Sequence, residues 1–153
     1  MKKLGEQGEF LVLELSFGEW AVLSTLVRFR QGEFRKPGAL SHGGAGQSPA
    51  EAQQCLEESL RDAWIADENT ARMLLADNSR CVLVEKVATL RIKPAEIDAI
   101  LRVVNGKRVS AWESLGRPDM EKIEAPVEGA ALETFHLLNA ADFMMASLLS
   151  VSR

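Results

Sequence analysis

Few residues in this 153-residue chain have the type and spacing that chemistry needs. Glu133 and His136 form a Glu-x-x-His step, the spacing by which one helix offers two ligands to a di-iron carboxylate centre. Such a centre needs a second Glu-x-x-His step and two further glutamates. The other histidine, His42, has no glutamate three residues before it, so His136 is expected to be solvent-facing or hydrogen-bonded, not a ligand. Ser41-His42-Gly43-Gly44 has the composition of an oxyanion-hole loop of the α/β-hydrolase kind, but no G-x-S-x-G nucleophile turn accompanies it. Gly46-Gln47-Ser48-Pro49 lacks the lysine of a phosphate-cradling P-loop.

Cys55 and Cys81 are far apart and form no C-x-x-C pair, so they are expected to be buried thiols in a reducing compartment, not a disulfide or a nucleophile. Trp20, Trp64 and Trp112 fall on apolar helical positions and are expected in the core. Two groups of cations remain. Arg28, Arg30, Arg35 and Lys36 gather near the end of the first expected helix and are the candidate anion or nucleic-acid contacts; Arg102, Lys107 and Arg108 gather later. Against a phosphate partner stands the formal net charge of −4, which repels polyanions and anionic lipid surfaces, and cations near helix C-termini are favoured by the helix dipole alone. No catalytic, cofactor or metal constellation is complete, so the reading leans away from an enzyme.

The elements that would position these residues can be read from periodicity and caps. The hydrophobic fraction of 46% and charged fraction of 26% are those of an ordinary folding domain. Phe10 to Leu15 is an apolar run of strand length, with Phe10 and Val12 on one face and Leu11, Leu13 and Leu15 on the other. Ser16 with Glu19 matches a capping box, so a helix starts near Phe17 and carries Trp20, Leu23, Leu26 and Val27 towards Gly32. Gly38 to Gln47 is read as a mobile loop. Ser48, Pro49 and Glu51 repeat the start signal for a helix reaching Asp77, either continuous or broken near Asp67-Glu68-Asn69.

Cys81 to Ile92 is rich in β-branched residues and reads as extended, pairing with the N-terminal strand. Lys93-Pro94 restarts a helix that Asn105-Gly106 would end or bend. The closing helix presents Leu132, Phe135, Leu138, Met145 and Leu149 on one side, more apolar surface than water tolerates, although Glu133, His136, Asn139 and Asp142 argue against a membrane span. It is expected to be buried in the core or in a dimer interface, with Phe135, Leu138, Met145 and Leu149 as candidate partner contacts. No internal repeat is evident.

Two resemblances bear on the reading. Leu13 to Leu23, with its Ser16-Phe17-Gly18-Glu19-Trp20 step, resembles the opening of winged-helix transcription regulators and implies DNA binding through the first helix. The Glu19 to Leu26 helix, the Asn105-x-x-Arg108-Val109 step and the closing helix from Phe135 to Leu149 resemble a family of short uncharacterised bacterial proteins; this implies a bacterial source and no activity. The expectation is a single cytoplasmic domain over residues 1–153, α+β and mainly helical, with four to six helices and a small sheet. Its expected role is that of a protein-binding or regulatory module, as a homodimer or with a protein partner, with DNA binding as the alternative.

Overall fold

The computed structural model describes residues 1–28, 38–39, 48–119 and 128–151. In chain order the elements are β1 (Lys2–Gln7), β2 (Phe10–Ser16), α1 (Phe17–Arg28), α2 (Pro49–Ala76), β3 (Cys81–Val84), β4 (Val87–Ile92), α3 (Pro94–Ser114) and α4 (Ala130–Val151). The fold is α+β and mainly helical, with a four-stranded antiparallel sheet in the order β1-β2-β4-β3.

The local signals are physical ones. At the start of α1 the Ser16 amide donates to Glu19 Oε2 at 2.8 Å and the Glu19 amide donates to Ser16 Oγ at 3.3 Å, satisfying amides that have no intrahelical acceptor. Ser48 and Glu51 do the same for α2, with Pro49 at the first helical position. The Lys93 amide donates to Glu96 Oε2 at 2.8 Å at the start of α3. α2 runs unbroken past Asp67-Glu68-Asn69, and α3 continues through Asn105-Gly106. The extended stretch from Cys81 is two strands, not one, and its second half, β4, pairs antiparallel with β2.

One finding corrects the sequence reading: the chain contains a repeat. The shift that carries Leu13 onto Leu90 also carries the β1–β2 hairpin onto β3–β4, Phe17 at the start of α1 onto Pro94 at the start of α3, and Glu19 onto Glu96. It carries the buried α1 residues Leu23, Leu26 and Val27 onto the buried Ile100, Val103 and Val104. In the second helices it carries Ala71 and Leu74 onto Leu148 and Val151, all four buried. The central pairing obeys the same rule, with Leu13 opposite Leu90, Leu11 opposite Ile92 and Leu15 opposite Ala88, so the two hairpin–helix–helix units face each other about an approximate two-fold axis through Leu13 and Leu90.

The core lies between one face of this sheet and the helices. Leu13, Leu15, Leu90 and Ile92 are fully buried under Leu23, Ile100 and their neighbours. By length and composition α4 would pass as a membrane span, but its stripe of Leu138, Ala141, Met144, Leu148 and Val151 is buried in the chain's own fold, with α3 and α1 as neighbours.

The two hairpins turn differently. Gly8 has φ +62° in the first. In the second, Glu85 (φ 47°) and Lys86 (φ 74°) both take the left-handed conformation of a type I′ turn, which costs an L-residue roughly 1–2 kcal/mol. Glu85→Asn combined with Lys86→Gly should therefore stabilise the protein by about 1 kcal/mol and raise the thermal midpoint by about 2–4 °C. Differential scanning calorimetry of the double variant checks this; an unchanged or lowered midpoint would contradict it.

Candidate functional site

Among the described residues, β1 and β3 are the outer strands of the sheet. An outer strand exposes unpaired amides and carbonyls that can template another strand, and charge, bulges and twist are the usual protection. β1 has two of these to hand, charge and a shift of register. It carries Lys2, Lys3 and Glu6, its register with β2 shifts between Lys3 and Gly5, and Lys3 Nζ pairs with Glu6 at 3.0 Å. β3 has neither: it reads Cys81-Val82-Leu83-Val84, in uninterrupted register with β4.

Side-chain alternation then sorts the faces. Cys81 and Leu83 lie on the core side with Ala88 and Leu90, and Cys81 is buried. Val82 and Val84 lie on the outer side, where Val84 is directly opposite Val87. All three valines are exposed, Val84 by 60%, and Leu83 is exposed at the rim of the core face.

The repeat supplies the comparison. The positions equivalent to Val82, Val84 and Val87 in the first hairpin are Gly5, Gln7 and Phe10. Gly5 and Gln7 offer no apolar side chain. Phe10 does, but it is covered: the guanidinium carbons of Arg80 and Arg91 and Lys93 Nζ lie 5.0, 5.1 and 5.4 Å from its ring centroid. Two of these cations, Arg80 and Lys93, are held in turn. Arg80 donates through Nη1 to Glu96 Oε1 at 2.9 Å, through Nη2 to Glu96 Oε2, and through Nε to the Arg91 carbonyl at 3.1 Å. This guanidinium, the Lys93 amide and nearby positive charge hold the Glu96 carboxyl below its ordinary range despite partial burial. Lys93 pairs with Glu9 at 2.8 Å. One half of the outer sheet surface is thus capped by charge, and the valine half is left bare.

The residues singled out from sequence fall elsewhere. Leu138 is fully buried in its own chain and offers a partner nothing; Phe135 is half-buried and Met145 packs against the core, while Leu149 is exposed on α4. Arg28 is exposed at the end of α1, whereas Arg30, Arg35, Lys36 and His42 lie outside the described residues, as does the expected 38–47 loop except for Gly38 and Ala39. Glu133 and His136 are both exposed, with the imidazole 6.2 Å from the Phe135 ring. Cys55 is exposed on α2, contrary to the expectation of a buried thiol, because only the last third of that helix enters the core; Cys81 is buried as expected. Trp20 is half-buried against the core, and Trp112 is half-buried with its Nε1 donating to the Pro118 carbonyl at 2.9 Å.

The valine edge was missed although its residues were seen. The β-branched run gave an extended conformation, but the turn inside it, Glu85-Lys86, has none of the glycine or asparagine that announces a two-residue hairpin. Without the turn, nothing in the sequence says that Val82, Val84 and Val87 share a face. Compared with protein-family models, with curated proteins and with solved structures, the chain matches none.

Proposed function

We propose that the chain is a protein-binding module that self-associates, a second copy adding its β3 antiparallel to the β3 of the first. The observation that carries this reading is the contrast between the two hairpins: the first has charge and a register shift on its outer strand and a covered Phe10 beside it, whereas the second presents apolar, regular and bare residues at Val82, Val84 and Val87. A strand is the occupant that satisfies both the unpaired backbone of β3 and its valine surface. A second copy is the strand that matches this edge by construction: a two-fold axis perpendicular to the sheet sets like against like, closes the assembly at two, and leaves both guarded β1 strands at the ends. The four-residue strand makes a small contact, so the dimer is a weak one.

Sedimentation equilibrium over about 10–500 µM protein should show the weight-average mass rising towards twice the monomer, as expected for dissociation constants between micromolar and millimolar. Val84→Lys should hold the protein monomeric across that range, because it places like charges beside the axis, while Gln7→Lys at the equivalent position of β1 should leave association unchanged. Monomer throughout overturns the reading. Association that survives Val84→Lys but is lost in Phe135→Asp would overturn it too, and would move the interface to α4.

A further inference from the structure

We infer that the free backbone of β3 is complementary to itself in one register, with the two-fold axis of the pair through Leu83. The inference rests on the reading that β3 meets β3, and it names the groups that the second copy must supply.

The phase of the hydrogen bonds decides the register. In an antiparallel pair, directly opposite residues alternate between bonded and non-bonded. The Arg91 amide donates to the Arg80 carbonyl at 2.8 Å, which makes that pair a bonded one. Counting along the strands, Val82 with Thr89 and Val84 with Val87 are then bonded pairs too, as the two-residue turn after Val84 requires. Val82 and Val84 thus spend their backbone groups on β4. The groups that point away from the sheet belong to Cys81 and Leu83, together with the Glu85 amide, since a trans amide opposes the carbonyl before it. One of them is already taken: the Cys81 amide donates to the Asp77 carbonyl at 2.8 Å.

The free edge therefore reads, in chain order, an acceptor at Cys81, a donor and an acceptor at Leu83, and a donor at Glu85. Reversed, that series is its own complement. About an axis through Leu83, the Leu83 residues of two copies bond to each other in both directions, and each Glu85 amide donates to the Cys81 carbonyl of the other copy. No free group on the edge is left over. Directly opposite residues share a face of the sheet, so the axis must run through a residue and not between two. An axis through Val82 sets Leu83 opposite Cys81 and forfeits half of these bonds, because the Cys81 amide is engaged. An axis through Val84 asks the Glu85 carbonyl to accept, and Glu85, at φ 47°, has left the extended conformation.

The side chains agree with the backbone. With the axis at Leu83, Val82 of each copy stands beside Val84 of the other in a non-bonded pair, the closer kind, on the outer face. The two Leu83 side chains meet at the rim of the core face. Each apolar side chain that β3 leaves exposed then has an apolar neighbour.

Disulfide trapping of the full chain is the test, in a Cys55→Ser parent that lacks the exposed native thiol. Val82→Cys, Leu83→Cys and Val84→Cys, all at exposed positions, are oxidised in glutathione buffer and the bridges mapped by mass spectrometry. Opposite residues of a bonded pair are about 5.5 Å apart between Cα atoms, within disulfide reach. Leu83→Cys should therefore bridge to itself faster than either valine variant by roughly tenfold. Mixing Val82→Cys with Val84→Cys should give the mixed bridge in preference to either self-bridge. Bridging led by a valine variant alone, or equal at all three positions, overturns the register while the β3 contact stands. A parent that sediments as a dimer while none of the three bridges faster than Gln7→Cys on β1 overturns the register and the β3 contact together. A parent that stays monomeric overturns the reading beneath both.

Discussion

Glu68→Met is expected to destabilise the protein by about 3–5 kcal/mol, more than removal of the lysine it holds, and the double variant Glu68→Met with Lys107→Met is expected to recover most of that loss. Glu68 on α2 is 7% exposed and Lys107 on α3 is 3% exposed, and Lys107 Nζ donates to Glu68 Oε1 at 3.1 Å across the helix contact. Arg72, one turn along α2 and partly exposed, donates to the other carboxylate oxygen at 2.8 Å. The network is therefore asymmetric. Without Glu68, the Lys107 ammonium has no counter-charge among the described residues and almost no water, whereas without Lys107 the carboxylate keeps Arg72. Removing one member of a buried pair leaves an uncompensated charge; replacing both by apolar groups of similar volume is often neutral.

The repeat adds a reason to choose methionine, since the position equivalent to Glu68 in the second half is Met145, which packs against the same core. Urea unfolding followed by circular dichroism, with slopes compared so that stability and not compactness is measured, gives the three values. The expected order of loss is Glu68→Met first, Lys107→Met second and the double variant least. A double variant no more stable than Glu68→Met would mean that shape, not stranded charge, sets the cost.

That network also marks where sequence reading stopped. Lys107 was grouped with Arg102 and Arg108 as a basic cluster open to an anion, because charge density along the chain is visible and its pairing is not. In the fold each has an acidic partner: Asp67 receives Arg102, Glu68 receives Lys107 and Asp142 receives Arg108. These partners are more than thirty residues away, so no local pattern announces them. What was legible rests on short-range physics. Ser16-Glu19 and Ser48-Glu51 started helices because both bonds of a capping box join residues three apart. That β2 is a strand followed from its apolar run, and that α4 packs into the core from its apolar surplus, although Leu138 alone of the side read from sequence lies in the buried stripe.

β1 was not legible for the opposite reason. Its sequence, Lys-Lys-Leu-Gly-Glu-Gln, is that of an outer strand protected from pairing, and those same residues erase the hydrophobic period by which strands are recognised. Losing β1 hid the first hairpin, and losing the Glu85-Lys86 turn hid the second, so the repeat could not be seen. Sequence identity between the halves could not reveal it either, since the shared feature is burial: Leu23 with Ile100, Ala71 with Leu148. The candidate interface moved from α4 to β3 through this same gap, because periodicity separates an apolar face from a polar one without saying which apolar face finds cover.

Leu13→Ala and Leu90→Ala should each cost about 2–5 kcal/mol, and the two costs should agree to within about 1 kcal/mol. Both side chains are essentially inaccessible to water, and they sit opposite each other where β2 and β4 cross the approximate two-fold axis. Truncation removes the transfer free energy of the lost methyl groups and opens a cavity whose cost depends on how far the neighbours collapse. Related surroundings should collapse to a similar extent. In the first unit Leu13 is flanked by Leu11 and Leu15 and lies near Leu23; in the second Leu90 is flanked by Ala88 and Ile92 and lies near Ile100. The double variant should lose less than the two single costs combined, by about 0.5 kcal/mol or more, because the second truncation enlarges a void already present instead of opening a separate one. Denaturant unfolding of the four proteins measures both quantities. Equal single costs with a sub-additive pair would mean that the two hairpins meet in one shared core at the axis, whereas a difference of several kcal/mol between the singles would mean that the symmetry of the strands does not extend to the helices packed upon them.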